Sequence, residues 1–160
     1  MRLWIVRHAP AVDPTAELPD AARALTPKGR ERFATAVRGL RRLNARFDLI
    51  LHSPLLRAVQ TAELLAPLGQ GRLQVAPELA LEPSEDLLAL CEGQSVALVG
   101  HEPHVSTTVA WLTCGWESLG PTGAVLFKKG AVACLEGELR PGRMQLRGLW
   151  QPGVLRKLAR

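Results

Sequence analysis

The sequence predicts an α/β chain with a mostly parallel central sheet and antiparallel strands at its C-terminal end. Three observations carry this. Short, largely apolar runs at Leu3–Val6, Asp48–His52 and Ser95–Val99 have the length and composition of strands buried on both faces. Helix-start residues follow the second and third runs closely. Later, Ala124–Leu126, Ala131–Leu135 and Met144–Leu149 are separated by Lys128-Lys129-Gly130 and Arg140-Pro141-Gly142, turn residues with no room for a helix, so these strands are expected to pair antiparallel.

The 160 residues fit one domain, 1–160, long enough to bury its own core. At 47% hydrophobic and 22% charged residues, the chain has the composition of an ordinary globular protein. No apolar stretch is long enough to span a bilayer and the first strand is too short for a secretory signal, so a cytoplasmic protein with no membrane partner is expected. Cys91, Cys114 and Cys134 are odd in number, widely spaced and set among apolar residues, which excludes a disulfide framework or a CxxC site and predicts core or half-buried thiols. The net charge of +5 invites nucleic acid, but the basic residues are dispersed along the chain and only seven residues are Phe or Trp, so no stacking platform is evident. Local density occurs only at Arg38–Arg42 and Arg156–Arg160.

The first strand ends in Arg7-His8. Ligands of open α/β sheets bind at the carboxyl ends of strands, where a guanidinium fork suits phosphate and an imidazole can act as nucleophile. The same dipeptide also describes a merely solvated strand end. Residues 11–25 form a loop with room for a helical turn, in which Asp13 is either a solvent-facing acid or an orienting group. Thr26-Pro27 opens a helix to about Asn44 with Phe33, Val37, Leu40 and Leu43 at helical spacing. After the second strand, Ser53 as N-cap and Pro54 at the first position open a helix to about Leu65, placing Arg57 in its first turn, where an anion is favoured. A short strand at Leu73–Val75 precedes Pro77-Glu78-Leu79, and Ser84-Glu85-Asp86 starts a helix to about Cys91. The third apolar run ends in Gly100-His101-Glu102-Pro103-His104, and Pro103 begins another helix. Three strand ends that deliver Arg-His, Arg and His to one rim are hard to explain as solvation. Together they suit covalent phosphoryl transfer through histidine, with cationic side chains in place of a metal.

Val6-Arg7-His8-Ala9, Leu25-Thr26-Pro27-Lys28-Gly29, Ser53 to Ala62 and Val99-Gly100-His101-Glu102-Pro103 resemble, in order and spacing, the successive signatures of the histidine phosphatase superfamily, the phosphoglycerate-mutase-like fold. The resemblance implies a three-layer α/β/α sandwich, with His8 phosphorylated during turnover and Arg7, Arg57 and His101 around the phosphate. It implies no cofactor and no metal. Ala9 stands where the family usually has Gly. The chain has no room for the long insertions that cover the pocket in mutases and acid phosphatases, and is similar to the compact SixA type, which acts on phosphohistidine of signalling proteins. Glu78 or Glu102 is available as general acid, neither matching the family pattern fully. A phosphohistidine substrate needs such an acid less than an alkyl ester, because imidazole leaves with its own proton. The expected partner is a phosphorylated protein or, alternatively, a small phosphate ester; a non-catalytic phosphate-binding module is a third reading.

Overall fold

In the computed structural model, which describes residues 1–115 and 125–160, six strands form one sheet: β1 (Arg2–Arg7), β2 (Leu49–His52), β3 (Leu73–Val75), β4 (Ser95–Gly100), β5 (Val132–Gly137) and β6 (Met144–Trp150). Their order is β3-β2-β4-β1-β5-β6. Parallel pairing joins β3, β2, β4 and β1, whereas β5 and β6 add antiparallel. The α/β class and the mixed sheet therefore stand as the sequence predicts.

Strand alternation assigns the two cores. On β1, Trp4 and Val6 face one cluster and Leu3 and Ile5 the other. Helices α1 (Pro27–Arg42), α2 (Leu56–Leu65) and α5 (Pro152–Leu158) cover the first face through Phe33, Leu40, Ala62 and Leu155. Helices α3 (Glu85–Ala89) and α4 (His104–Cys114) cover the second through Leu87, Val105 and Leu112. The result is three layers. Trp4 fastens the first core, edge-on to Phe47 and stacked on Trp150, with ring centroids 6.0 Å apart in both cases.

Capping explains the helix boundaries. Thr26 accepts from the Gly29 N–H at 2.9 Å and Pro27 takes the first position, which together fix the start of α1. The helix stops at Arg42 because Asn44 turns left-handed, with φ 56°. Ser84 caps α3 through the Leu87 N–H, and α3 ends at Ala89, two residues before Cys91. Helix α2 begins at Leu56 with Leu55, not Ser53, as N-cap; the Ser53 Oγ accepts from the Leu55 N–H at 3.3 Å and is also hydrogen-bonded to His101.

Further differences have local causes. The expected strand at Ala124–Leu126 falls partly outside the described residues, and Val125 and Leu126 are not in a strand. The Gln151 side chain takes up the backbone there instead, donating to the Leu126 carbonyl at 2.6 Å and accepting from the Lys128 N–H at 3.1 Å. Helix α5 was not anticipated: its charges obscure a single buried anchor, Leu155. Cys134 is buried and Cys91 half-buried, but Cys114, at the C-terminal end of α4, is exposed. No helix among the described residues is long and apolar enough to cross a membrane.

Helix α5 lies so close to α1 that a Cβ on Gly39 would overlap the Leu155 carbonyl oxygen. Backbone cannot yield as a side-chain tip can, so Gly39→Ala is expected to destabilise the chain by about 1–3 kcal/mol, despite the better helix propensity of alanine. Urea denaturation checks this; unchanged or raised stability would show that α5 does not seat against α1.

Candidate functional site

The register of the parallel strands decides what meets at their carboxyl ends. Arg7 pairs with Gly100 across β1 and β4, and His52 with Val99 across β2 and β4, so the three strands finish level with one another. Two more bonds continue the alignment beyond the strands: the His8 N–H donates to the Gly100 carbonyl and the Ser53 N–H to the Val99 carbonyl, each at 3.0 Å. The residues just past each strand, His8, Ser53 and His101, are thereby gathered. The His8 and His101 rings lie 5.1 Å apart between centroids.

Each side chain is held by an identifiable partner. His8 Nδ1 lies 2.7 Å from the Ala9 carbonyl oxygen. A carbonyl only accepts, so Nδ1 carries the proton and Nε2 keeps its lone pair. The Ala9 N–H in turn donates to Thr61 Oγ1 at 3.0 Å, and the Thr61 hydroxyl donates to the Arg57 carbonyl at 2.6 Å, which ties the histidine loop to α2. His101 Nε2 is hydrogen-bonded to Ser53 Oγ at 2.9 Å, while its Nδ1 is buried without a partner. Arg7 donates to the Phe127 carbonyl at 2.5 Å.

Arg57 is buried, and its guanidinium end is occupied: one Nη donates to the Asp20 carbonyl at 2.7 Å and the other to Asp20 Oδ2 at 2.9 Å. Its Nε, on the side edge, is buried and unpartnered. Arg7 Nε is likewise buried without a partner. Two guanidinium N–H groups and an imidazole nitrogen, all desolvated and unmet, leave the donor set that a tetrahedral oxyanion would complete. Among the described residues, no three His, Cys, Asp or Glu side chains are grouped as a metal would need.

The electrostatics of the pocket agree with its geometry. Burial, then the positive charges of Arg57 and Arg7, lowers the His101 pKa to about 4, with Asp20 pulling the other way. Burial lowers the His8 pKa to about 3; its Ala9 bond opposes this, and His101 and the two arginines add to it. Burial alone lowers His104, on the neighbouring α4, to about 4. Asp20 is held below 3.8 by its bonds to Arg23 and Arg57. Near neutral pH both rim histidines are therefore neutral, and His8 is free to use Nε2 as a nucleophile.

The two candidate acids differ. Glu102 Oε2 accepts from the Ser106 hydroxyl at 2.6 Å, which commits it to the first turn of α4. Glu78 lies on the 3-10 turn Pro77–Ala80 that packs against β4. It makes no hydrogen bond to Arg7, His8, Arg57 or His101 among the described residues, and its Oε2 is buried without a partner. A cavity of about 350 Å³ opens beside Arg57 and His101, walled by Leu79, Leu81, Glu102 and His104.

Of the two readings of Asp13 the solvent-facing one holds, and the acid that orients Arg57 is Asp20, in the 3-10 turn Asp20–Ala22, which the sequence does not single out. Arg23 was a usable signal, since it lies three residues from Asp20 and bonds it at 2.8 Å. The Ser53 and Thr61 roles had no local signature, because both depend on contacts between distant segments.

The histidine phosphatase superfamily (branch 1) profile matches residues 3–82. An uncharacterised protein of Picosynechococcus sp. is 40% identical over 111 residues, 64% of this chain and 67% of that protein. A structure of the protein histidine phosphatase SixA complexed with tungstate is similar at TM-score 0.78 and 27% identity, covering 96% of this chain and 98% of its own. The Agrobacterium tumefaciens chain assigned as a phosphohistidine phosphatase SixA gives 0.77 and 26%, covering 95% and 98%. An Escherichia coli K-12 chain assigned as an alpha-ribazole-5'-P phosphatase gives 0.70 at 21% identity, over 95% and 97%, a likeness of fold alone.

Three histidines with lowered pKa values, the buried His8 and His104 and the half-buried His101, set the acid stability. Between the folded values near 3 to 4 and the ordinary 6.5, the unfolded chain binds more protons than the folded one. Stability is then complete above 6.5 and lost as pH falls below it, while Asp20 stays ionised down to the carboxylate range. Thermal scans between about pH 7 and about pH 5 should show a steadily falling Tm. A flat Tm over that window would mean that these imidazoles are not held neutral.

Proposed function

The chain belongs to the histidine phosphatase superfamily, and from that premise we propose that it removes phosphoryl groups from phosphohistidine on signalling proteins, using residues 1–160 as one catalytic domain. The observation that carries the chemistry is the rim itself: His8 with Nδ1 tied to Ala9 and Nε2 free, 5.1 Å from His101, beside two arginines whose Nε groups await an acceptor.

His8 Nε2 attacks phosphorus while the bond to the leaving group breaks on the opposite side. Arg7, the Nε edge of Arg57 and His101 hold the nonbridging oxygens. Proximity of the dianion offsets the lowered pKa of His101, which then takes up a proton and donates it in a hydrogen bond. Water next attacks the phosphorus of phospho-His8, releasing inorganic phosphate and restoring the imidazole. The cationic side chains supply the charge, so the reaction proceeds without added metal.

Phosphohistidine is favoured because Glu102 is held by Ser106 and Glu78 is bonded to none of the four rim residues. An imidazole leaving group carries its own proton and tolerates this; an alkoxide does not. The likeness to the SixA structures over nearly the whole chain supports the same reading. Hydrolysis of small phosphate esters, with the unpaired Glu78 carboxyl as proton donor, is the second reading.

Phosphohistidine protein and p-nitrophenyl phosphate, each assayed in EDTA, separate these. Wild-type chain is expected to release phosphate from the protein substrate, and His8→Ala to lose this activity by at least about 1,000-fold. Turnover of esters alone would transfer the assignment to small molecules, and retained activity in His8→Ala would remove His8 as nucleophile. Glu78→Gln is expected to slow alkyl ester hydrolysis by about 100-fold while changing phosphohistidine turnover less than about 3-fold. Equal losses on both substrates would show that Glu78 shapes the pocket rather than supplying a proton.

A further inference from the structure

Charge that is dispersed along the sequence is gathered by the fold. Helix α1 holds six Lys or Arg and one acid, residues 128–130 hold two lysines, and residues 152–160 hold three more, together eleven of the twenty basic residues and one of the fifteen acids. Because α5 packs on α1, these segments form one face. Among the described residues none of the eleven is in an ion pair, whereas six arginines elsewhere are.

Two cavities show that the helices contribute jointly. Arg32, Lys129 and Arg156 line one of about 170 Å³ together with Pro10, two residues beyond His8. Arg38, Arg41 and Arg42 line another with Ala159 at the far end of α1. From Arg32 to Arg42 the helix runs roughly 15 Å. The near end abuts the catalytic rim directly, since the Gly130 N–H is shared between the Arg7 and His8 carbonyls at 3.1 and 3.0 Å. A folded partner that presents a phosphoryl group to His8 therefore overlies the start of this face.

We propose that the α1/α5 face docks an acidic surface of the phosphorylated protein substrate, placing the phosphohistidine over the rim. This rests on the phosphohistidine reading above. A protein is favoured over nucleic acid because the face exposes aliphatic Val154 and Leu158, one turn apart on α5, while Phe33, the aromatic that lines the nearer cavity, is itself buried and offers no face on which bases could stack. Unpaired cations with a small apolar contact suit a patch of Asp and Glu around an apolar centre. Such complementarity raises association rate and selects partners, and it weakens with salt.

The test uses the triple variant Arg38→Glu, Arg41→Glu, Arg42→Glu, with the milder triple Gln variant as a second reagent. Substrates are an acidic phosphotransfer protein phosphorylated on histidine by phosphoramidate, a basic one prepared in the same way, and p-nitrophenyl phosphate. For the acidic protein the Glu variant should raise KM by at least about 10-fold with kcat unchanged, and the Gln variant by less. Turnover of p-nitrophenyl phosphate should match wild type, which also reports correct folding. The advantage of acidic over basic protein should shrink in the variants, as should the salt dependence of KM. Equal KM for wild type and variants on the acidic protein would overturn the docking face while leaving the phosphatase reading intact. Binding of the unphosphorylated acidic protein, read by fluorescence anisotropy, separates the opposite case: face-dependent binding without phosphohistidine turnover would leave the face and sink the catalytic reading. Tighter wild-type binding to duplex DNA or to anionic lipid vesicles than to the acidic protein, at physiological salt, would overturn the proposal in favour of that ligand.

Discussion

The parallel pairing of β4 with both β1 and β2 is the constraint on which the site depends. Backbone bonds set the register, and the register places Arg7, Ser53 and His101 at one level although they are nearly a hundred residues apart in sequence. A two-residue slip between β1 and β4 would shift the Arg7-His8 end by about 6.6 Å along the strand, more than the 5.1 Å now separating the two rings. Such a slip is opposed by the cores on both faces. Leu3 and Ile5 fill one side and Trp4 and Val6 the other, so all four central residues of the strand have a packing reason to stay in place.

A pocket assembled in this way has an electrostatic cost. Two arginines and two imidazoles are brought together with little water, and the pocket responds by leaving the imidazoles neutral, with values near 3 and 4. Among the described residues the one carboxylate bonded to a rim side chain, Asp20, takes only the guanidinium end of Arg57 and is itself more than half exposed. The remaining positive potential is unbalanced, and so are the buried N–H groups of both arginines. A phosphoryl dianion offsets the charge and satisfies the donors at once. Preorganisation of this kind is effective because the donors need little rearrangement when charge develops at phosphorus.

The parts of this design that lie within one segment could be read in the sequence. Apolar runs ending in Arg-His or Gly-His, the Thr26-Pro27 start and the position of Arg57 in a first helical turn all follow from local chemistry. Residues whose work is done at a distance could not be read in this way. Ser53 resembles an N-cap because Pro54 follows it, yet its hydroxyl serves His101, forty-eight residues away. Asp20 and Asp13 are equivalent as loop acids until the chain places one of them on Arg57. Helix α5 reads as a charged tail because one leucine, Leu155, anchors it.

The same distinction governs charge. Spacing along the chain disperses the basic residues, and a search for a stripe within any one segment finds only two short runs. Folding superimposes α1, the 128–130 turn and α5, so cations more than a hundred residues apart come to share cavities. Nothing in the pairing of the sheet requires this, since Leu155 alone seats α5. The arginines on the outer side of both helices contribute no apolar burial to either core. Their mutual repulsion, without a compensating ion pair among the described residues, is a cost to the isolated chain. That cost is removed when an acidic surface covers the face, which ties the distribution of charge to binding rather than to folding.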